Sequence, residues 1–113
     1  MNNKQLISSL IDEIENEVSG KVSINKLSDT VGLSPWHLQK VFKKAIGETL
    51  GKYIRNKNLV RSAKMLKETD FGILDIAIDS GYSSHEAFTR SFKCFYGMTP
   101  KEFRNNKGVV FND

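Results

Sequence analysis

The chain repeats itself, and that limits its architecture more than any other feature of the sequence. Residues 23–54 (SINKLSDTVGLSPWHLQKVFKKAIGETLGKYI) and 72–104 (GILDIAIDSGYSSHEAFTRSFKCFYGMTPKEFR) follow one pattern. Ile24, Leu27, Ser28 and Gly32 align with Ile73, Ile76, Ala77 and Gly81. After one extra residue in the second copy, Leu38, Phe42, Ala45 and Gly47 align with Phe88, Phe92, Phe95 and Gly97, and Thr49 and Tyr53 with Thr99 and Phe103. A period of this length means one supersecondary unit used twice.

Each unit reads as helix, tight turn, helix. In the first, Ser23 caps a short helix with Ile24, Leu27 and Val31 at helical spacing, and Gly32 supplies the left-handed residue of a sharp turn. Ser34-Pro35 then marks a new start, Ser as N-cap and Pro in the first turn. Two helices joined by three or four residues including Gly are the helix-turn-helix signature. The second copy repeats this with Ile73, Ile76, Ala77, Gly81 and the caps Ser83-Ser84. Thr99-Pro100-Lys101-Glu102 supplies a capping box for a last helix. Residues 3–18 form an amphipathic opening helix through Leu6, Ile7, Leu10, Ile11, Ile14 and Val18. Residues 49–67 form one helix of about 19 residues, about 28 Å long. The expected fold is all-α with seven helices, two helix-turn-helix subdomains joined by a long central helix. The organisation is 1–48 for the opening helix and first motif, 49–67 for the linker helix, 68–107 for the second motif and C-terminal helix, and 108–113 for a tail.

The 113 residues, 39% hydrophobic and 27% charged, suit a small globular protein, and no apolar run is long enough to span a bilayer. The acidic residues Asp12, Glu13, Glu15 and Glu17 interrupt the N-terminal region, so it lacks the apolar core of a secretory signal and a cytoplasmic, nucleoid-associated protein is expected. One cysteine, Cys94, allows no internal disulfide and no thiolate cluster, so no metal centre and no cofactor are expected. The net charge of +4 is unevenly placed: between residues 40 and 67, Glu48 is the lone acid among nine Lys and Arg. Such asymmetry suits a polyanion-binding face and equally suits a solvated lysine-rich surface.

A helical wheel separates those readings. Over 34–46, Leu38, Val41, Phe42, Ala45 and Ile46 fall on the packing side, with Trp36, Lys40, Lys43 and Lys44 opposite and Gln39 flanking. Over 84–96, Phe88, Ser91, Phe92, Phe95 and Tyr96 fall inward, with Glu86, Arg90, Lys93 and Cys94 opposite and Thr89 flanking. In repeat register Trp36 matches Glu86, Gln39 matches Thr89 and Lys40 matches Arg90, so both copies put polar or cationic groups in the same outward slots. These types suit a major groove: Arg90 and Lys40 for guanine O6 and N7, Gln39 for adenine, Glu86 for cytosine N4, and Trp36 for thymine methyls. Glu86 has a second reading, as the partner of Ser83 in a capping box. His85 lies at the helix start and faces solvent on its own merits. Lys43, Lys44, Arg55, Lys93 and Arg104 are assigned to phosphate. The linker helix holds the two second helices about one DNA turn apart, and a spacing below about 34 Å requires the DNA to bend toward the protein.

WHLQKVFKK (36–44), LGKYIR (50–55), GYSSHEAFTRSFK (81–93) and GMTP (97–100) together resemble the AraC/XylS-type DNA-binding domain, and within it the stand-alone MarA, SoxS and Rob group. The likeness runs from about residue 5 to 105. It implies a transcription regulator, an activator, binding double-stranded DNA as a monomer at an asymmetric site of two major-groove segments, with RNA polymerase as a further partner. It also implies base contacts from the slots of Trp36, Gln39 and Lys40 and of His85, Glu86, Thr89 and Arg90. Lys40 stands where Arg is frequent, which removes the bidentate fork, and His85 and Glu86 stand where close relatives often carry amides, so no operator sequence carries across. Many members add an effector or dimerisation domain absent here, leaving a regulator controlled by abundance or the DNA-binding part of a longer chain.

Two other functions are weaker. A protein-interaction module built on 3–18 or 49–67 explains the charge but not the repeated outward slots. An enzyme is disfavoured: His37 and His85 fall in different copies, neither sits near a nucleophile pattern, and there is no phosphate loop. No catalytic residue is assigned, and Cys94 is read as incidental.

Overall fold

A computed structural model describes residues 3–16, 22–106 and 108. Seven helices follow in order: α1 (Asn3–Asn16), α2 (Ile24–Val31), α3 (Pro35–Ile46), α4 (Leu50–Glu68), α5 (Ile73–Asp79), α6 (His85–Tyr96) and α7 (Pro100–Asn105). No strand occurs among the described residues. The opening helix is seen to Asn16; Glu17 and Val18, expected within it, lie outside the described residues, as do residue 107 and 109–113 of the tail.

The chain divides into two compact units, Met1–Lys57 and Asn58–Asp113, with the division inside α4. In the first, Leu6, Ile7, Leu10 and Ile14 of α1 meet Leu27 of α2, Leu38 and Phe42 of α3, and Leu50 and Ile54 of α4. In the second, Leu59, Ala63 and Leu66 of α4 meet Ile76 and Ala77 of α5, Phe88 and Phe92 of α6, and Phe103 of α7. Each half of α4 therefore turns an apolar stripe to its own core.

The repeat predicted from sequence recurs atom for atom at the helix ends. Ser34 and Ser84 both cap, each accepting the backbone N–H three residues on, at 3.1 Å from His37 and Ala87. Gly47 and Gly97 close α3 and α6 with φ of 91° and 80°. Their N–H groups donate to Lys43 and Lys93 carbonyls at 2.8 and 2.7 Å. Thr49 and Thr99 then start the next helix, accepting from Lys52 and Glu102 N–H at 3.1 and 3.2 Å. At Thr99 the expected capping box is complete, because Thr99 N–H donates to Glu102 Oε1 at 2.9 Å. Inside, Phe42 meets Tyr53 edge-on at 5.3 Å, and in the second unit Phe92 meets Phe103 edge-on at the same 5.3 Å.

The wheel placed three residues wrongly. Ala45, Ile46 and Phe95 were expected to pack, yet all three are exposed, Phe95 by 44%. A wheel records angle about the axis and not position along it. The crossing helices α2 and α5 have 8 and 7 residues against 12 in α3 and α6, which makes them about 12 and 10 Å long against about 18 Å. They leave the last turn uncovered, and Ala45 and Phe95 occupy the same slot in it.

The turn glycine Gly32 has φ +75° with open space where a Cβ would stand, while Gly51 lies within α4, also in open space. Gly32→Ala is expected to lower unfolding free energy by about 1–2 kcal/mol through the left-handed conformation alone. Gly51→Ala is expected to raise it by about 0.5–1 kcal/mol. Denaturant titration measures both, and equal signs contradict the backbone argument. The capping box adds a pH signature. Hydrogen bonds from Thr99 hold the Glu102 carboxyl below its ordinary 4.5, so its stabilisation is full above that value and disappears as pH falls through the lower folded one. Glu102→Gln should flatten the acid side of the stability profile, read by melting temperature against pH.

Candidate nucleic-acid interface

In the first unit the inward stripe of α3 fixes what faces out. Leu38 and Phe42 are fully buried, Val41 is half-buried, and Trp36, His37, Gln39, Lys40, Lys43 and Lys44 are exposed. Trp36 leaves 69% of its surface free, so its ring does no core packing. The Lys40 ammonium lies 4.8 Å from the Trp36 ring centroid, a cation–π contact that holds the two side chains together on the outer face. Trp36, Lys40 and Lys44 form an i, i+4, i+8 ridge with an open concavity on either side. One, of about 640 Å³, is lined by Gln39, Lys43, Thr49 and Leu50 as well as the ridge; the other, of about 590 Å³, by Asn3, His37, Val41 and Ala45. Gln39 is folded back, its Nε2 donating to Pro35 O at 3.0 Å. His37, considered in the sequence as a possible catalytic group and set aside, belongs to this outer face, placed by the Ser34 cap that fixes its backbone.

In the second unit Phe88 and Phe92 are buried, while His85, Glu86, Arg90, Lys93 and Cys94 are exposed. Thr89 is half-buried and its hydroxyl is covered without a hydrogen-bond partner. The capping-box reading of Glu86 fails: the N-cap is Ser84, three residues before Ala87. Glu86 instead sits in the first turn of α6 as a free carboxylate at a helix N-terminus, where the helix dipole favours it.

The cations assigned to phosphate divide into two kinds. Lys43, Lys44, Arg55 and Lys93 are exposed. Arg104 is committed within its own unit, donating from Nε to Leu66 O at 3.0 Å and from Nη2 to Thr69 O at 3.2 Å. Beside it Lys67 donates to Asn106 O at 2.7 Å and covers the Phe103 ring at 5.0 Å. Arg104 thus satisfies carbonyls at the C-terminal end of α4 and Lys67 one at the end of α7, contacts that no sequence pattern announced because the partners are 35 to 39 residues apart. Two further cations are paired at home. Lys57 meets Glu15 at 2.9 Å, and that bond raises its pKa; Arg61 meets Asp79 at 2.8 Å. Among the described residues no group of three or more His, Cys, Asp or Glu is placed to hold a metal ion, and no helix is long and apolar enough to cross a membrane.

The family model described as a helix-turn-helix domain matches residues 27–106, which takes in both motifs. The chain belongs to the AraC-type helix-turn-helix family. It is 39% identical over 98 residues to the multiple antibiotic resistance protein MarA of Escherichia coli, covering 87% of this chain and 77% of that protein. It is 35% identical over 105 residues to the regulatory protein SoxS of Salmonella typhimurium, covering 93% of this chain and 98% of that one. Among solved structures it resembles a transcriptional regulator from Chromobacterium violaceum, described as AraC-type, with a TM-score of 0.80 at 24% identity over 93% of this chain and 96% of that one. That likeness concerns the fold. The AraC-type family is one of DNA-binding transcription regulators and not of enzymes, and this chain is not an enzyme.

The two kinds of cation predict different losses. Arg104→Ala should lower stability by about 1.5–3 kcal/mol, the scale for hydrogen bonds from a charged group. Arg90→Ala should leave the melting temperature within its error. A thermal scan of both variants checks this, and a fully stable Arg104→Ala protein rejects the latch.

Proposed function

We propose that the chain is a sequence-specific, double-stranded DNA-binding transcription activator that inserts α3 and α6 into successive major-groove segments of one asymmetric site. The observation that carries this is the repeated division of labour on the two second helices. In each, a buried apolar stripe fixes the helix, and the opposite face presents free polar and cationic groups in matching slots: Lys40 and Arg90, Lys43 and Lys93. Packing alone does not require cations there twice. Membership of a family whose relatives include MarA and SoxS supports the same reading.

Within it the residues take separate roles. Arg90 forks onto guanine O6 and N7, and Lys40 donates to the same edge as a point charge, carried with the Trp36 ring toward thymine methyls. Gln39 reaches adenine after leaving Pro35 O, and Glu86 accepts from cytosine N4. Thr89 offers its methyl, and His85 borders Glu86 at the helix start. Lys43, Lys44, Arg55 and Lys93 hold phosphates, and Arg104 does so through the guanidinium N–H groups that α4 leaves over. The organisation is that of residues 1–48 and 68–107 as the two reading subdomains, 49–67 as the helix between them and 108–113 as a tail. RNA polymerase is the second partner, one chain is the binding unit, and the site of action is the bacterial cytoplasm, on the nucleoid.

Selection of bound sites from a random duplex pool, followed by titrations at several salt concentrations, tests the assignment. Arg90→Ala should cost about 1–3 kcal/mol at one base position and relax selection there. Lys43→Ala should weaken every sequence alike and reduce the salt slope by about one. Identical effects of the two variants on selected and random DNA remove the distinction between reading and holding.

A further inference from the structure

One surface of the second unit is explained neither by its core nor by DNA. Phe71, Leu74 and Ile78 are 57%, 52% and 53% exposed. Leu74 and Ile78 stand at i and i+4 on α5, one turn apart and apart from the buried Ile76, and Phe71 immediately precedes the extended N-cap Gly72. The repeat supplies an internal control. In the register that aligns Ile73 with Ile24 and Gly81 with Gly32, these slots correspond to Val22, Asn25 and Asp29 of the first unit. Val22 packs partly against its own core, while Asn25 and Asp29 are exposed. The same unit therefore folds with polar residues where the second copy carries Leu74 and Ile78.

The charge around this face is opposite to that of the rest of the chain. Residues 68–84 contain Glu68, Asp70, Asp75 and Asp79 and no Lys or Arg, in a protein of net charge +4. Asp79 is paired with Arg61, but Glu68, Asp70 and Asp75 are exposed. Asp75 has a local role in the first turn of α5, where a carboxylate is favoured. Glu68 has the reverse, an acid at the C-terminal end of α4 where the helix dipole disfavours it. Two cations of this unit, Lys67 and Arg104, are bound to backbone carbonyls. An acidic rim repels DNA phosphate and anionic lipid alike. It also opposes a symmetric pair of copies, which would bring like charges face to face.

We infer that the Phe71–Leu74–Ile78 face is a docking surface for a second protein whose contact surface is apolar and basic. The i, i+4 pair Leu74 and Ile78, with Phe71 just before the helix, suits helix-on-helix recognition, with the apolar side chains as anchors and the carboxylates selecting the partner's Lys and Arg. Three anchors make a small interface of the transient class. The inference stands on the second unit alone and does not depend on which bases α3 and α6 read.

The probe is a short synthetic amphipathic helix of Leu and Lys, with the matching helix of Leu and Glu as control, titrated into the nitrogen-15-labelled full chain. Shifts should appear at residues 70–78 with the Leu/Lys helix and be absent with the Leu/Glu helix. Leu74→Asn with Ile78→Asp, the first unit's own residues, should weaken that binding by about tenfold or more while melting temperature and duplex binding hold. Glu68→Lys with Asp70→Lys, which leaves the apolar anchors in place, should move the preference toward the Leu/Glu helix. The inference is overturned if both helices bind alike, if the shifts map to the acidic α1, or if the charge reversal changes nothing. It is equally overturned if the Leu74/Ile78 variant melts early, which makes the stripe part of its own core. Sedimentation showing a dimer that this variant abolishes assigns the face to a second copy and also overturns it.

Discussion

The second helix of each motif meets the helix that follows it through an aromatic edge. Phe42 of α3 lies against Tyr53 of α4, and Phe92 of α6 lies against Phe103 of α7, with the same 5.3 Å between centroids. Both inner rings, Phe42 and Phe92, are fully buried, and pairs of this geometry add about 0.5–1.5 kcal/mol beyond area burial. Their larger effect is rotational. A buried ring that meets its partner edge-on fixes the roll of the helix about its own axis, and the roll decides which side chains are offered outward. Trp36, Lys40, Arg90 and Lys93 are therefore free because Phe42 and Phe92 are not.

Much of this was legible in the sequence because it is local. Caps are chemical statements about three or four consecutive residues, so Ser34, Ser84 and Thr99 could be read directly, and the repeat offered each one twice. The outward faces followed from the 3.6-residue period. The errors arose where the third dimension enters. Ala45, Ile46 and Phe95 have the right angle on a wheel but lie beyond the end of a short crossing helix. Glu86 is three residues from Ser83, yet the cap moved to Ser84 because the second turn is longer than the first. Arg104 looked like any surface cation, and its carbonyl partners on α4 are remote in sequence. The apolar face of α5 was hidden by its own regularity, since Leu74 and Ile78 read as ordinary helix residues until burial separated them from Ile76.

The charge of the chain also sorts by geometry rather than by count. Lys57, Arg61 and Lys67 of the basic stretch, and Arg104 well beyond it, are matched to Glu15, Asp79 and backbone carbonyls within their own units. Net charge would credit all of them to a polyanion. The exposed cations that remain include Lys40, Lys43 and Lys44 on α3, Arg55 on α4, and Arg90 and Lys93 on α6.

The bond between the Gln39 amide and Pro35 O has a bearing on recognition. A glutamine without this bond would exchange water for an adenine, whereas this one exchanges an intramolecular partner that it must also give up. Exchange makes the net gain at that base small, and it also makes the loss at a mismatched base small, since the side chain can return to its resting partner. On the base-contacting role proposed for Gln39, this bond makes that slot a forgiving one, tolerant of variation among target sequences at a single letter.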